Sequence, residues 1–196
     1  MNETGARHRW IRGLGQAALA VLLLTLAGSS LSGRSVAQQP PVRVRVLGPT
    51  APVPAGQTFT VTVAIENVQN LGAFEFEYNF TPAVASAAVD NIQLGGMLGT
   101  TGRTTGTLRL ASAPGRPGVP LFGAYSYGTA DGPNGSGVLA TVAMSAVSPG
   151  TSQIDLSGLK VTNVAGNELL SSATAGSVTV VAGRSYIYLP LLLRGN

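Results

Sequence analysis

The sequence contains no cysteine, little charge and almost no histidine or tryptophan. Of its 196 residues, one is His, one is Trp and 10% are charged. The absence of cysteine excludes disulfides, thiolate metal sites and cysteine nucleophiles. Both His8 and Trp10 lie in the first ten residues, so the remaining chain cannot supply the histidine of a Ser–His–Asp triad. We therefore predict a protein that is not an enzyme and carries no cofactor.

Residues 1–37 have the pattern of a secretory signal peptide. Residues 7–12 are rich in arginine, residues 17–27 are apolar and uncharged, and Ser35 and Ala37 offer small side chains before Gln38. These are the three parts of an export signal. The apolar run is about half the ~20 residues that a spanning helix needs. We predict cleavage near Ala37–Gln38, a linker at 38–41, no transmembrane helix in the mature chain, and an extracellular or cell-surface location.

The positive charge of the chain is concentrated in this leader. The formal net charge is +4, and residues 1–37 hold four arginines and one glutamate, which leaves about +1 for the mature chain. Nucleic-acid binding requires a clustered basic face. No such cluster remains after residue 37, so we do not expect a nucleic-acid partner.

Residues 42–182 have the rhythm of β-strands separated by turns. Apolar residues alternate with polar ones in short segments, as they do in half-buried strands, and Gly/Pro-rich turns separate these segments. The nine candidate strands are 42–46, 59–65, 74–80, 92–94, 108–111, 121–127, 138–147, 153–164 and 177–181. About nine strands in ~140 residues predict an all-β, two-sheet β-sandwich.

One strand has aromatic residues on a single side. Its aromatic residues are Phe74, Phe76, Tyr78 and Phe80, and they alternate with Glu75, Glu77 and Asn79. Since successive strand residues point to opposite faces, we predict that the aromatic row faces the core and the polar row faces outward.

The tail at 183–196 differs from the rest of the chain. Residues 186–193 are apolar and aromatic, and Arg184 and Arg194 flank them. This run is too short to span a bilayer. Two interpretations stay open: an edge strand that covers part of the sandwich, or a C-terminal sorting or surface-retention signal.

Several sequence runs occur in the order of one known module. The first group is AGQTFTVTV at 55–63, NV at 67–68, LGAFEF at 71–76 and YNFTP at 78–82. The second group is GAYSY at 123–127, GVLATV at 137–142 and PG at 149–150. From about Val42 to Val181 the chain thus resembles a cohesin domain, the receptor module of cellulosome scaffoldins. The resemblance implies a nine-stranded jelly-roll sandwich that captures dockerin-bearing proteins and is linked to extracellular polysaccharide degradation.

The resemblance also implies where the partner binds. Ala73 and Glu75 align with positions at which cohesins often have an Asn and an Asp in contact with dockerin, a small calcium-loaded pair of helices. The implied partner-binding residues are Ala73, Glu75, Glu77, Asn79, Ser126, Thr129 and Asp131. The alternative is that Glu75 and Glu77 are simply exposed to water on a sheet face and contact no partner, as is usual for charged residues.

Four further interpretations of the sequence bear on function. Glu75 and Glu77 lie parallel on one strand face, without the opposed geometry of a glycosidase pair. Residues 131–136 lack the spacing of a calcium loop and favour a turn, so no metal site is predicted and calcium is expected on the dockerin side. Cohesins share their fold with carbohydrate-binding modules, so direct polysaccharide binding is an alternative function. A cell-envelope structural or adhesion domain, anchored by the tail, is another.

Overall fold

Residues 40–169 and 171–183 are described by a computed structural model. The predicted signal peptide, residues 38 and 39 of the predicted linker, and the tail from residue 184 onward lie outside the described residues. The predictions made for those segments stay predictions.

The described residues form twelve strands and two short 3₁₀ turns. The strands are β1 (Val42–Leu47), β2 (Val53–Pro54), β3 (Thr58–Val68), β4 (Leu71–Asn79), β5 (Ala85–Ser86), β6 (Ile92–Leu94), β7 (Thr104–Leu110), β8 (Leu121–Tyr127), β9 (Gly135–Ala146), β10 (Gly150–Asn163), β11 (Ser171–Thr174) and β12 (Gly176–Val181). The 3₁₀ turns are Val89–Asn91 and Met97–Gly99. Across these residues no helix is long and apolar enough to cross a membrane.

The strands build two six-stranded sheets. In the first sheet the order is β11-β1-β3-β9-β5, with β6 also paired to β9, and in the second it is β2-β12-β10-β4-β8-β7. Each of the nine predicted strands overlaps one observed strand. The other three, β2, β5 and β11, have two to four residues, which is too short for an alternating pattern to be recognised. The predicted β-sandwich is confirmed.

The aromatic row of β4 forms the centre of the core. Phe74, Phe76 and Tyr78 are 3%, 0% and 1% exposed, and Phe80 is partly buried against the same cluster. Phe122 of β8 packs beside them, with its ring centroid 5.8 Å from that of Phe76. The prediction that this row faces inward is confirmed, and the polar side chains between these residues consequently point outward.

The hydroxyl of Tyr78 links the two sheets inside the core. It donates a hydrogen bond to the Met144 sulfur on β9 at 3.1 Å. Burial raises the pKa of the Tyr78 hydroxyl, because desolvation penalises the phenolate. The side chain therefore stays neutral and serves as a buried donor.

Candidate binding face

The outer surface of the second sheet carries the polar row that the sequence predicts. Ala73, Glu75, Glu77 and Asn79 are half-buried on β4, in the middle of the sheet. Strand β10 lies on one side of this row and β8 on the other. The facing residues on β10 are Thr162, Lys160, Ser157 and Asp155, and those on β8 opposite the first three are Tyr125, Gly123 and Leu121. The four predicted residues of β4 thus share one surface.

Glu77 and Asn79 are engaged within the molecule by an arginine from another loop. Arg116 forms an ion pair with the Glu77 carboxylate and donates to Asn79 Oδ1 at 2.9 Å. Its Nη1 also donates to Ser157 Oγ at 2.6 Å, and this hydroxyl donates to Glu77 at 2.8 Å. We call the set Glu77, Asn79, Ser157 and Arg116 the clamp. The clamp thus provides hydrogen bonds within the molecule for the Glu77 carboxylate and for Asn79 Oδ1, two groups that the resemblance assigns to partner binding.

The loop that presents Arg116 is internally ordered. It joins β7 to β8 and has prolines at 114, 117 and 120, whose fixed φ angles restrict the backbone. The Ala113 amide donates to the Val119 carbonyl at 2.7 Å, and the Arg116 amide donates to the Ala113 carbonyl at 2.9 Å. Arg116 therefore projects from a stiff turn, which favours the clamp because little loop entropy is lost in forming it.

Glu75 is paired separately. Lys160 Nζ donates to Glu75 Oε1 at 2.8 Å, and the side chains are 64% and 35% exposed. The hydrogen bond to Glu75 and the charge of its carboxylate raise the pKa of the Lys160 ammonium. The stabilisation that the Lys160 ammonium gains from this pair is therefore present at neutral pH and is lost as the pH rises through that raised pKa. The Glu75–Lys160 pair borders a shallow groove of ≈ 280 Å³ that Ala73 and Thr162 also line.

Beside this polar row lies an exposed apolar surface on β7 and β8. Its members are Leu108, Leu110, Tyr125 and Tyr127, which are 47%, 37%, 52% and 57% exposed. We call these four residues the apolar patch. The tyrosine ring centroids are 6.4 Å apart, with 30° between the ring planes. Single exposed apolar residues are normal, whereas large contiguous apolar patches are typical of interaction sites.

A glycine allows one of these rings to lie against the backbone of the neighbouring strand. A Cβ atom placed on Gly106 would lie 2.5 Å from Tyr125 Cζ, and Gly106 pairs with Tyr125 across β7 and β8. Any larger residue at 106 would therefore push the ring away from the strand. The backbone and the ring can approach this closely only because glycine has no side chain.

The remaining predicted site residues lie elsewhere. Ser126 points to the opposite side of β8 from Tyr125, because successive strand residues alternate; it donates to the Gly72 carbonyl at 3.1 Å. Thr129 and Asp131 are exposed on the loop that follows β8. The structure thus brings together the four β4 residues, and places Ser126, Thr129 and Asp131 at one end of the sheet.

Arg103 holds that loop in place. Its guanidinium donates to Ser126 Oγ at 3.0 Å and to the Gly128 carbonyl at 2.8 Å, and it also bonds the Ala130 carbonyl. These bonds fix the backbone on which Thr129 and Asp131 lie.

Replacing Arg103 with methionine is expected to lower the free energy of unfolding by about 1–3 kcal/mol, because several charge-assisted hydrogen bonds to the loop are lost. The 128–131 amides should also exchange hydrogen faster with solvent. Arg43→Met, at an exposed position on β1, is the matched control and should change neither quantity. Unchanged exchange in Arg103→Met would contradict the role assigned to Arg103.

Two groups of residues on this face do not follow from the sequence pattern. The apolar patch could have been suspected from the spacing of Tyr125 and Tyr127, but aromatic residues on both faces of β8 leave its orientation ambiguous. The clamp joins Glu77 to a residue 39 positions away, and no local pattern signals such a contact.

Among the described residues no group of three or more His, Asp or Glu could hold a metal ion.

Comparisons with known proteins agree with this architecture. A non-cellulosomal cohesin from the hyperthermophilic archaeon Archaeoglobus fulgidus is 17% identical with a TM-score of 0.57, and the match covers 73% of this chain and 93% of that one. A type II cohesin domain from the cellulosome of Acetivibrio cellulolyticus is 13% identical with a TM-score of 0.57, covering 71% and 95%. A chain of a type I cohesin–dockerin complex from Clostridium thermocellum is 14% identical with a TM-score of 0.57, covering 71% and 93%.

These structural similarities show the fold, and the match to a family profile shows the family to which the chain belongs. No significant match is found among curated protein sequences. The profile of the cohesin domain matches residues 43–180, which is more than half of the 196-residue chain and spans nearly the whole sandwich. The chain belongs to the cohesin domain family.

Proposed function

We propose that this protein is an exported, non-catalytic receptor that captures a dockerin-bearing protein on the outer surface of its second sheet. Cohesin domains are protein-binding modules, and solved structures of the same fold include cohesin–dockerin complexes. The observation that carries the proposal is the exposed surface of β10, β4, β8 and β7, where the predicted row of β4 lies beside the apolar patch. A link to extracellular polysaccharide degradation is part of the same proposal.

The mechanism is docking onto a preformed surface. Strand β4 is hydrogen-bonded to β10 on one side and to β8 on the other, and its inner residues are buried in the core. Because neighbouring strands hold β4 on both sides and the core packs against its inner face, the outer surface needs little rearrangement on binding. Its side chains are therefore presented to the partner at low entropic cost, with calcium expected on the partner.

A capture experiment tests this proposal. The immobilised protein is exposed to the proteins secreted by its host, once with calcium and once with a chelator. We expect one or more proteins with paired calcium-binding loops to bind only in calcium. An empty column, with a far-ultraviolet spectrum that shows folded β-structure, would contradict the proposal.

Direct polysaccharide binding is the second candidate, and the tyrosine pair favours it. Tyr125 and Tyr127 expose flat rings of the kind that stack on sugars, although the aromatic row of β4 is buried. Retention on insoluble cellulose, chitin or xylan that disappears in the variant Tyr125→Ser would favour this candidate. No retention on any of the three would remove it.

A further inference from the structure

The strand at one end of the second sheet is open on one side. Strand β7 is the last in the order β2-β12-β10-β4-β8-β7, and it pairs with β8 along its whole length. Within residues 40–169 and 171–183, no other strand pairs with β7, and no turn or loop forms a backbone hydrogen bond with residues 104–110. The N–H and C=O groups that β7 turns away from β8 therefore lack a backbone partner in this part of the chain.

Strand β7 also lacks the features that protect sheet edges. Natural edges are guarded by short strands, prolines, bulges or outward charges, because a bare edge pairs with other chains. The strands at the other edges, β2, β5, β6 and β11, have only two to four residues. Strand β7 has seven residues and no proline, and its register with β8 is continuous. Its one charged residue, Arg109, is held by the Ile92 carbonyl at 3.1 Å.

Solvent reaches β7 along its length. None of its seven residues is buried, whereas every other described strand of more than four residues has buried members. Leu108 and Leu110 are 47% and 37% exposed. An open, accessible strand with exposed leucines is a template to which a further strand can add.

A second copy of β7 is complementary to this edge. An antiparallel pair centred on Thr107 matches all seven residues and keeps the outward rows of both copies on one face, as the two-residue period requires. The facing pairs are then Thr104 with Leu110, Thr105 with Arg109, Gly106 with Leu108, and Thr107 with its own counterpart. Each leucine thus faces a glycine or a threonine, and no two like charges are opposed, which would destabilise the pair.

We propose that two copies of this chain pair edge to edge through β7, antiparallel and with Thr107 on the twofold axis. The two six-stranded second sheets then form one continuous sheet of twelve strands. Because the same edge is used by both copies, the assembly closes at two. This inference concerns a different surface from the one in the proposed function and does not depend on it.

The pairing also accounts for the leucines that β7 exposes. Leu108 of one copy would lie opposite Gly106 of the other, and Gly106 pairs with Tyr125 on β8. The apolar patches of the two copies would therefore meet across the axis. Burial of leucine side chains against a neighbouring ring favours association, because it removes apolar surface from water.

Disulfide trapping tests the pairing and its register. The chain has no cysteine, so Thr107→Cys introduces a single thiol. Directly opposite residues of an antiparallel pair have Cα atoms about 4.5–5.5 Å apart, which a disulfide can bridge. Leu110→Cys is the matched control on the same strand, because six residues, or about 20 Å, would separate it from its own counterpart. Thr60→Cys is the control at an exposed position of the other sheet.

Under mild oxidation we expect Thr107→Cys to give at least about tenfold more disulfide-linked dimer than either control, because only its two thiols are within bonding distance. Equal yields from the three variants would overturn the proposed pairing. Urea denaturation of each variant confirms that it is folded.

Sedimentation velocity of the parent between about 1 and 500 µM, the range of a small and weak interface, measures the association itself. We expect a concentration-dependent dimer. Leu108→Lys should raise its dissociation constant at least about tenfold, because an outward lysine guards an edge. Thr60→Lys, which places lysine at an exposed position of the other sheet, should change it by less than about threefold.

Three results would overturn the inference. The first is a parent that stays monomeric over this range. The second is a dimer that Leu108→Lys leaves intact, which would assign self-association to another surface. The third is a monomeric Thr107→Cys that forms a mixed disulfide with a protein secreted by the host, which would assign the edge to a foreign strand. An empty calcium-dependent column, in contrast, would contradict only the proposed function, because self-pairing needs no calcium-binding partner.

Discussion

Replacing Phe76 with alanine is expected to lower the free energy of unfolding by about 3–5 kcal/mol, since the change deletes a fully buried ring and leaves a cavity. Phe76 is 0% exposed and its ring packs against those of Phe74 and Phe122, with centroids 6.1 and 5.8 Å away. The loss is large beside the total stability of about 5–15 kcal/mol for a native domain. Urea denaturation monitored by the far-ultraviolet signal measures it.

Tyr127→Ala is the matched control for this prediction. It also removes an aromatic ring from the second sheet, but Tyr127 is 57% exposed on the outer surface, so the expected cost is less than about 1 kcal/mol. Equal costs for the two variants would contradict the assignment of inner and outer faces on which the location of the binding surface depends.

Replacing Gly72 with alanine is expected to lower the free energy of unfolding by about 3 kcal/mol, because the added methyl group overpacks the junction of β4 and β10. A Cβ atom at this position would overlap the Asn163 carbonyl oxygen and lie 2.6 Å from the Val164 nitrogen. Both are backbone atoms, so no side-chain rotation can relieve the overlap. Thermal or urea denaturation gives the size of the effect.

Gly96→Ala separates this overlap from the general effect of replacing glycine. Gly96 has φ −69° and ψ −22°, which any residue adopts, and no heavy atom beyond Gly96 and its two chain neighbours lies within 4 Å of the added Cβ position. The variant should be neutral or more stable by up to about 1 kcal/mol, because alanine restricts the unfolded chain. If Gly72→Ala were as stable as Gly96→Ala, this result would contradict the close contact between Gly72 and the backbone of Asn163 and Val164.

The fold could be predicted from the sequence wherever one strand face is uniformly apolar. On β4, aromatic residues alternate with acids, and only one orientation buries the rings and solvates the charges. The structure has that orientation, with Phe76 buried and Glu75 outward. Turn residues separate the strands, but the predicted bounds differ from the observed ones, most of all at β7, where the predicted strand 108–111 covers only the last three residues of Thr104–Leu110. The strands that the pattern does not indicate have two to four residues.

The binding surface could be predicted only in part. The alternating pattern predicts Glu75 and Glu77 on the outer face, where they lie. Their pairing with Lys160 and Arg116 depends on the register of β10 and on the path of a distant loop. On β7 the local pattern is misleading, because Arg109 has an inward position stabilised by Phe122 and the Ile92 carbonyl. Tertiary contacts override the local preference there, and they expose Leu108.

Site-specific photo-crosslinking tests most directly whether the partner binds this surface. A photoreactive amino acid replaces Thr104, an exposed residue that faces Tyr127 across β7 and β8, or Thr60, an exposed residue on β3 of the other sheet. With the host's secreted proteins present, we predict a calcium-dependent adduct from position 104 that contains a protein with paired calcium-binding loops, and none from position 60. Such an adduct from position 60, with none from position 104, would contradict the assignment of the binding surface to the second sheet.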